Sequence, residues 1–265
     1  MTDSPKAFQT LTLSHDGAVA TISLNRPDKR NGISTQMIED LLAALAEIEA
    51  SPARAAILTG AGKAFCSGMD LDTLRVLAQQ TPAQNLEDSH RTARMFRRIW
   101  AFPKPLIAAV NGPAIAGGCG IATLCDFTLA VPEAKFGYTE VRIGFIPAIV
   151  SVFLIRQIGE KRARDLLLTG RIFGAEEALQ LGLVSQIVEP ERLMETARAL
   201  AASLIELSPT GLARTKRLIT ETAAAEVDRA LERAIAENAA IRATSDFREG
   251  ISSFLDKRPA KWSGK

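Results

Sequence analysis

Apolar and polar residues alternate over residues 8–14, break at His15-Asp16-Gly17, and alternate again over residues 18–24. A period of two interrupted by a turn predicts a β-hairpin. Past Arg26-Pro27 and a polar loop the period lengthens. Met37, Leu41, Leu42, Leu45 and Ile48 recur at helical spacing behind Ser34, a residue suited to cap a helix N-terminus, and predict a helix to about Ala50. A strand over residues 55–59 follows. The order then recurs: a helix over 85–102, a strand over 106–110, a Gly-rich turn, a short helix to Cys125 and a strand over 127–130. Repeated strand–crossover–strand units predict an α/β core with parallel pairing.

Beyond about residue 150 the pattern is helical, apart from a short strand expected over 184–188. Helices are expected over 148–158, 161–169, 175–181, 191–207, 209–224, 226–243 and 245–254. Ser208-Pro209, with proline at a first helical position, marks the clearest boundary. It divides the chain into an α/β core, residues 1–208, and a helical C-terminal subdomain, residues 209–265.

Composition fits a folded chain. Hydrophobic residues make up 47% of 265 and charged residues 23%, which excludes disorder and allows one large domain or two small ones. Lys+Arg 32 against Asp+Glu 30 leaves +2, so no broad field gathers nucleic acid or an anionic membrane, and neither partner is expected. Cys66, Cys119 and Cys125 cannot pair completely and show no CxxC spacing, which argues against a disulfide framework or a zinc cage and for small buried thiols in a reducing compartment. Residues 1–10 lack the apolar centre of a signal peptide, and no run approaches a membrane span, so a cytoplasmic protein is expected. His15 and His90 stand alone, leaving little material for a metal site or a histidine-paired nucleophile. The chemistry falls to carboxylates and backbone.

Three familiar motifs fail on inspection. Gly60-Ala61-Gly62-Lys63 lacks the first glycine and the Ser/Thr of a phosphate loop, Gly117-Gly118-Cys119-Gly120 lacks dinucleotide spacing, and Ser67 is not flanked as a nucleophile elbow. Two loops of one design survive, residues 58–71 (LTGAGKAFCSGMDL) and 110–122 (VNGPAIAGGCGIA), each leaving an apolar strand and entering a helix. Such turns expose backbone N–H groups without intrahelical partners, and two side by side can aim donors at one oxygen.

These loops, with Leu24-Asn25-Arg26-Pro27 before them and Phe136-Gly137-Tyr138-Thr139-Glu140 after, resemble the crotonase (enoyl-CoA hydratase/isomerase) superfamily over nearly the whole chain. The resemblance implies a crotonase-like core of repeated ββα units and a helical C-terminal trimerisation region, hence a homotrimer or dimer of trimers. It implies an enzyme acting on acyl-CoA thioesters through an enolate, with no metal or redox cofactor and with CoA arriving as part of the substrate. By motif position, Met69 and Gly117 would donate N–H groups to the thioester oxygen, and Glu140 would be the catalytic carboxylate. Ser67, Asp70 and Leu71 would line the acyl-CoA channel, Lys29 and Arg30 would lie near the CoA phosphates, and Lys257 could reach a neighbouring subunit's CoA.

One departure bears on the chemistry. Two-carboxylate hydratases of this family carry a second glutamate three residues after the oxyanion glycine, where this chain has Gly120. That glycine, with residues 140–148 (EVRIGFIPA), resembles bacterial hydratases of branched, glutaconyl-type thioesters. Hydration of a 2-enoyl-CoA is the first expectation. Isomerisation of a 3-enoyl-CoA, which needs one proton-shuttling group, is the rival. A non-catalytic homologue binding acyl-CoA or RNA is a third reading, motivated by the lost carboxylate and opposed by Glu140 and both donor loops. His90 is weighed as the missing acid and reads better as a solvated side chain. Arg91, Arg94, Arg97 and Arg98 read as a solvated face that could supply a clamp for a distal carboxylate.

Overall fold

The computed structural model describes residues 6–265; residues 1–5, part of the segment read above as lacking a leader, lie outside the described residues. Strand β1 (Lys6–Ala7) pairs with β2 (Leu11–Asp16), which turns at Gly17, φ +56°, into antiparallel β3 (Val19–Leu24) with Leu13 opposite Ile22. The hairpin is the expected one, with its first long strand starting three residues later, at Leu11. Ser34 caps α1 (Thr35–Ala50) by accepting from Met37 N–H at 3.2 Å, and α1 buries Met37, Ile38, Leu41, Ala44, Leu45 and Ile48. Strand β4 (Ala55–Gly60) then pairs parallel with β3.

Two helices follow where the hydrophobic period predicts one. Asp70 caps α2 (Leu71–Leu77), and Thr81 caps α3 (Pro82–Trp100) in a reciprocal capping box with Gln84. Strand β5 (Leu106–Val110), fully buried, pairs parallel with β4. Next come β6 (Ala114–Ile115), α4 (Gly117–Thr123), β7 (Phe127–Ala130) and β8 (Lys135–Gly137). Helices α5 (Ala148–Ile158) and α6 (Glu160–Thr169), strand β9 (Ile172–Gly174), helix α7 (Ala175–Gln180) and strand β10 (Gln186–Ile187) lead to α8 (Leu193–Ile205). Helices α9 (Pro209–Ala240) and α10 (Ser245–Leu255) complete the described chain.

The main sheet has the order β1-β2-β3-β4-β5-β7-β10, parallel from β3 onward, and the small sheet β6-β8-β9 stands apart. The α/β core with a helical C-terminal region is thus the architecture of the chain. One expectation is corrected: the helices proposed over 209–224 and 226–243 are a single helix, α9. Nothing in Ala223-Ala224-Ala225-Glu226 breaks a helix, and alanine favours one. Helix α9 packs along α3 and α5. Among the described residues no helix is long and apolar enough to cross a membrane. Cys66, Cys119 and Cys125 are free and buried, as expected.

Because β4 and β5 are hydrogen-bonded neighbours, the loops that leave their carboxyl ends lie side by side. That is where open parallel sheets hold ligands.

Candidate active site

The loop after β4 is tied down from below. Asn31, itself left-handed at φ +54°, donates from Nδ2 to the carbonyls of Ala61 at 2.9 Å and Ala64 at 2.8 Å. Ile33 N–H donates to Gly68 O at 2.7 Å and Asp70 N–H to Ile33 O at 3.0 Å, a single parallel bridge between Ile33 and Met69. In such a bridge the residues on either side of Met69 make the bonds, so the N–H of Met69 points away from them. It has no partner among the described residues.

The loop after β5 is laid against the first. Phe65 and Cys66 N–H both donate to Pro113 O at 3.1 Å, and Ile115 N–H returns a bond to Cys66 O at 2.9 Å. The approach is close enough to demand glycine. A Cβ on Gly118 would lie 2.2 Å from Cys66 O, and one on Gly68, at φ +85°, 3.0 Å from the Cβ of Ala116. Ala116 holds φ +50°, ψ −123°, a conformation that costs an L-residue ~1–3 kcal/mol, and its N–H donates to Gly137 O at 2.7 Å. Beyond this strained corner α4 begins. Gly117 N–H, at its first position, has no partner among the described residues.

Glu140 follows β8 and opens a short 3-10 turn. Tyr138, buried two residues earlier, reaches the Thr123 hydroxyl on α4 at 3.2 Å, which anchors the segment beside the donor helix. Glu140 is only 8% exposed, and its Oε2 is buried without a hydrogen-bond partner among the described residues. Burial pushes its pKa from 4.5 up to about 7. A carboxyl that is neither paired nor fully ionised near neutral pH can both take and give a proton.

Met69, Gly117 and Glu140 line one cavity of about 960 Å³, together with Ser67, Asp70, Leu71, Lys29 and Arg30. Lys257 is not on its wall; it sits past the end of α10 at φ +54°. Asp70 holds the rim: burial raises its pKa, but donors from Thr73 and the Arg26 guanidinium at 2.7 Å outweigh that and lower it overall. Lys29 and Arg75 both pair with Asp72, while Leu71 stays exposed. Burial pushes the thiols of Cys66 and Cys119 up to about 12, so neither is a nucleophile near neutral pH. No cluster of three metal-ligating side chains occurs among the described residues.

Gly120 is walled in. A Cβ there would lie 2.6 Å from Val150 Cγ1 and 2.9 Å from Phe96 Cε1, so the place of a second glutamate is filled by its neighbours. His90 is exposed on α3 and does not line the cavity. Arg91, Arg94, Arg97 and Arg98 pair with Glu39, Glu87, Asp228 and Glu49 away from the cavity wall. A buried arginine does reach the wall: Arg242, just past α9 and 5.6 Å from the Phe145 ring. Sequence reading misses it. Its only signal is Asn238 and Arg242 one turn apart on the apolar face of Leu231 and Ile235.

A cavity with two unspent backbone donors and one buried carboxyl is built to polarise a carbonyl and move a proton beside it. Comparison with known proteins gives that chemistry a family. The family model for enoyl-CoA hydratase/isomerase matches residues 14–265, and the chain belongs to that family of acyl-CoA enzymes. A Thermus thermophilus protein provisionally named an enoyl-CoA hydratase is 45% identical over 247 residues, covering 93% of this chain and 98% of that one. The short-chain-enoyl-CoA hydratase of Clostridium acetobutylicum is 33% identical, with 95% and 96% covered. The crystal structure of enoyl-CoA hydratase from Bacillus halodurans superposes with a TM-score of 0.87 at 28% identity, over 92% of this chain and all of that one.

Proposed function

We propose that the protein hydrates a 2-enoyl-CoA, with Glu140 as the proton-transfer group and the N–H groups of Met69 and Gly117 as the oxyanion donors. The observation that carries the reading is the buried Glu140, whose Oε2 has no partner among the described residues, on the wall that also bears those two donors. Ionised Glu140 takes a proton from water as the water oxygen bonds to C3. The electron pair of the double bond moves toward the thioester, whose oxygen takes up negative charge against the two N–H groups. Glu140 then returns the proton to C2, and water has been added across the bond. Each such donor contributes ~3–4 kcal/mol at the transition state.

One carboxyl also suffices to carry a proton from C2 to C4 of a 3-enoyl-CoA, and the filled space at Gly120 favours that second reading. An ultraviolet assay of the conjugated thioester separates the two. Falling absorbance with a 2-enoyl-CoA, abolished by Glu140→Gln, supports hydration, whereas a rise with the 3-enoyl-CoA alone makes the protein an isomerase.

A branched, glutaconyl-type acyl group is among the substrates to offer, on the strength of the sequence pattern around Gly120 and residues 140–148. Ser67, Asp70 and Leu71 are proposed to line the acyl-CoA path, with Lys29 and Arg30 toward the CoA phosphates and Lys257 toward a neighbouring subunit's CoA. CoA enters with the substrate, and no other cofactor is invoked. The exposed apolar side chains of Leu207, Leu218 and Ile219 suit burial in a homotrimer or a dimer of trimers. Three free thiols suit the cytoplasm.

A further inference from the structure

The cavity has a second chemical end. Phe96 of α3 stands beside the donor helix, its Cζ 3.7 Å from where a Cβ on Gly117 would lie. Thr92 follows one turn back along α3, ~6 Å from Phe96 at 1.5 Å per residue. A further turn back, buried Asp88 accepts from Arg242 Nη1 at 2.8 Å. The other terminal nitrogen of Arg242 donates to Asn238 Oδ1 at 2.7 Å, which also accepts from the Ser89 hydroxyl at 2.9 Å. Thr92, Asn238 and Arg242 all line the cavity.

Two polar atoms in this network are left over. Thr92 Oγ1 and Arg242 Nε are buried without hydrogen-bond partners among the described residues. An alkyl terminus packed here would leave both unsatisfied, whereas an acceptor oxygen could take a hydrogen bond from the hydroxyl or from Nε–H. We infer that this end of the cavity recognises an oxygen acceptor at the far end of the acyl chain, with Thr92 and Arg242 as its donors. The inference rests on the enoyl-CoA reading above. Asp88 already balances the guanidinium charge, so the shared chemistry is the acceptor oxygen, supplied by a carboxylate or by a neutral carbonyl.

The test is a comparison of kcat/KM for three 2-enoyl-CoA substrates of equal chain length, ending in methyl, carboxylate or methyl ketone. At least one oxygenated substrate should exceed the alkyl one by about tenfold or more, because a site built to hydrogen-bond discriminates against the analogue that lacks the group. Thr92→Val, which keeps the shape and removes the hydroxyl, should reduce that ratio by about tenfold, with the change mainly in KM. Preference for the carboxylate over the ketone, or the reverse, identifies the acceptor. An alkyl substrate used as well as both oxygenated ones, or an unchanged ratio in Thr92→Val, overturns the inference. The four-carbon 2-enoyl-CoA, which carries no distal oxygen, keeps the two readings apart. Its turnover with no preference among the longer chains defeats only the distal-oxygen inference, and absence of turnover with every 2-enoyl-CoA defeats the hydratase reading beneath it.

Discussion

Replacing Glu140 by glutamine should make the protein more stable at alkaline pH while removing its activity. In the folded chain burial raises the Glu140 pKa from 4.5 to about 7, so the native state keeps the proton to higher pH than the unfolded state does. Raising the pH through that interval ionises the unfolded chain first, and wild-type stability falls as the pH rises from 4.5 toward 7. At ~1.4 kcal/mol per pH unit the interval amounts to about 3 kcal/mol. Glutamine has nearly the same shape and no charge to desolvate, and every other titrating group is common to both proteins. The variant should therefore exceed wild type by only ~0.8 kcal/mol at about pH 5 and by about 3 kcal/mol at about pH 8.5, the latter being ~6–12 °C in melting temperature for a chain of this size. Thermal melts of both proteins at the two pH values measure it. A melting gap that is the same at both values, or that shrinks toward alkaline pH, would refute the claim that Glu140 ionises at the expense of the fold.

The same group sets the pH dependence of turnover. kcat/KM for a 2-enoyl-CoA should rise through about pH 7 as the basic form of Glu140 accumulates and level off above it; a flat profile from about pH 6 to 8 would remove Glu140 as the base. Gly120→Ala should lower stability by ~1–3 kcal/mol, because its Cβ would lie 2.6 Å from Val150 Cγ1. An unchanged thermal melt would show that Val150 and Phe96 yield, and that a second carboxylate is not barred by space.

The elements read correctly from sequence are those whose burial imposes a period. The hairpin of β2 and β3 alternates, β4 and β5 are continuous apolar runs because both their faces are covered, and α1 carries a full helical stripe behind its Ser34 cap. The small sheet escapes that logic. β6, β8 and β9 are two or three residues long, too short for any period to register, and are held by pairing across more than twenty residues of chain. Helix α2 is read only as the unnamed helix that the loop of residues 58–71 enters, with no end assigned, because it is short and its cap Asp70 is held by Arg26 forty-four residues earlier in sequence. At the site, Met69, Gly117 and Glu140 are singled out through the family resemblance, which attaches to local motifs, and the structure brings the three to one cavity wall. Thr92, Asn238 and Arg242 are not. They meet only where α3 and the end of α9 pack together, and beyond the one-turn spacing of Asn238 and Arg242 a contact between helices so distant in sequence leaves no local pattern.

Helices α2 and α3 form an excursion between β4 and β5, two strands that lie side by side in the sheet. The strands fix where the excursion starts and ends, and with it the positions of both donor loops, while the excursion itself supplies Leu74, Thr92 and Phe96 to the cavity wall. Mutation along α2 and α3 can therefore reshape the chamber proposed to take the acyl group while the backbone donors proposed to stabilise the enolate stay in place. Such an arrangement lets a lineage change its diet without relearning its chemistry.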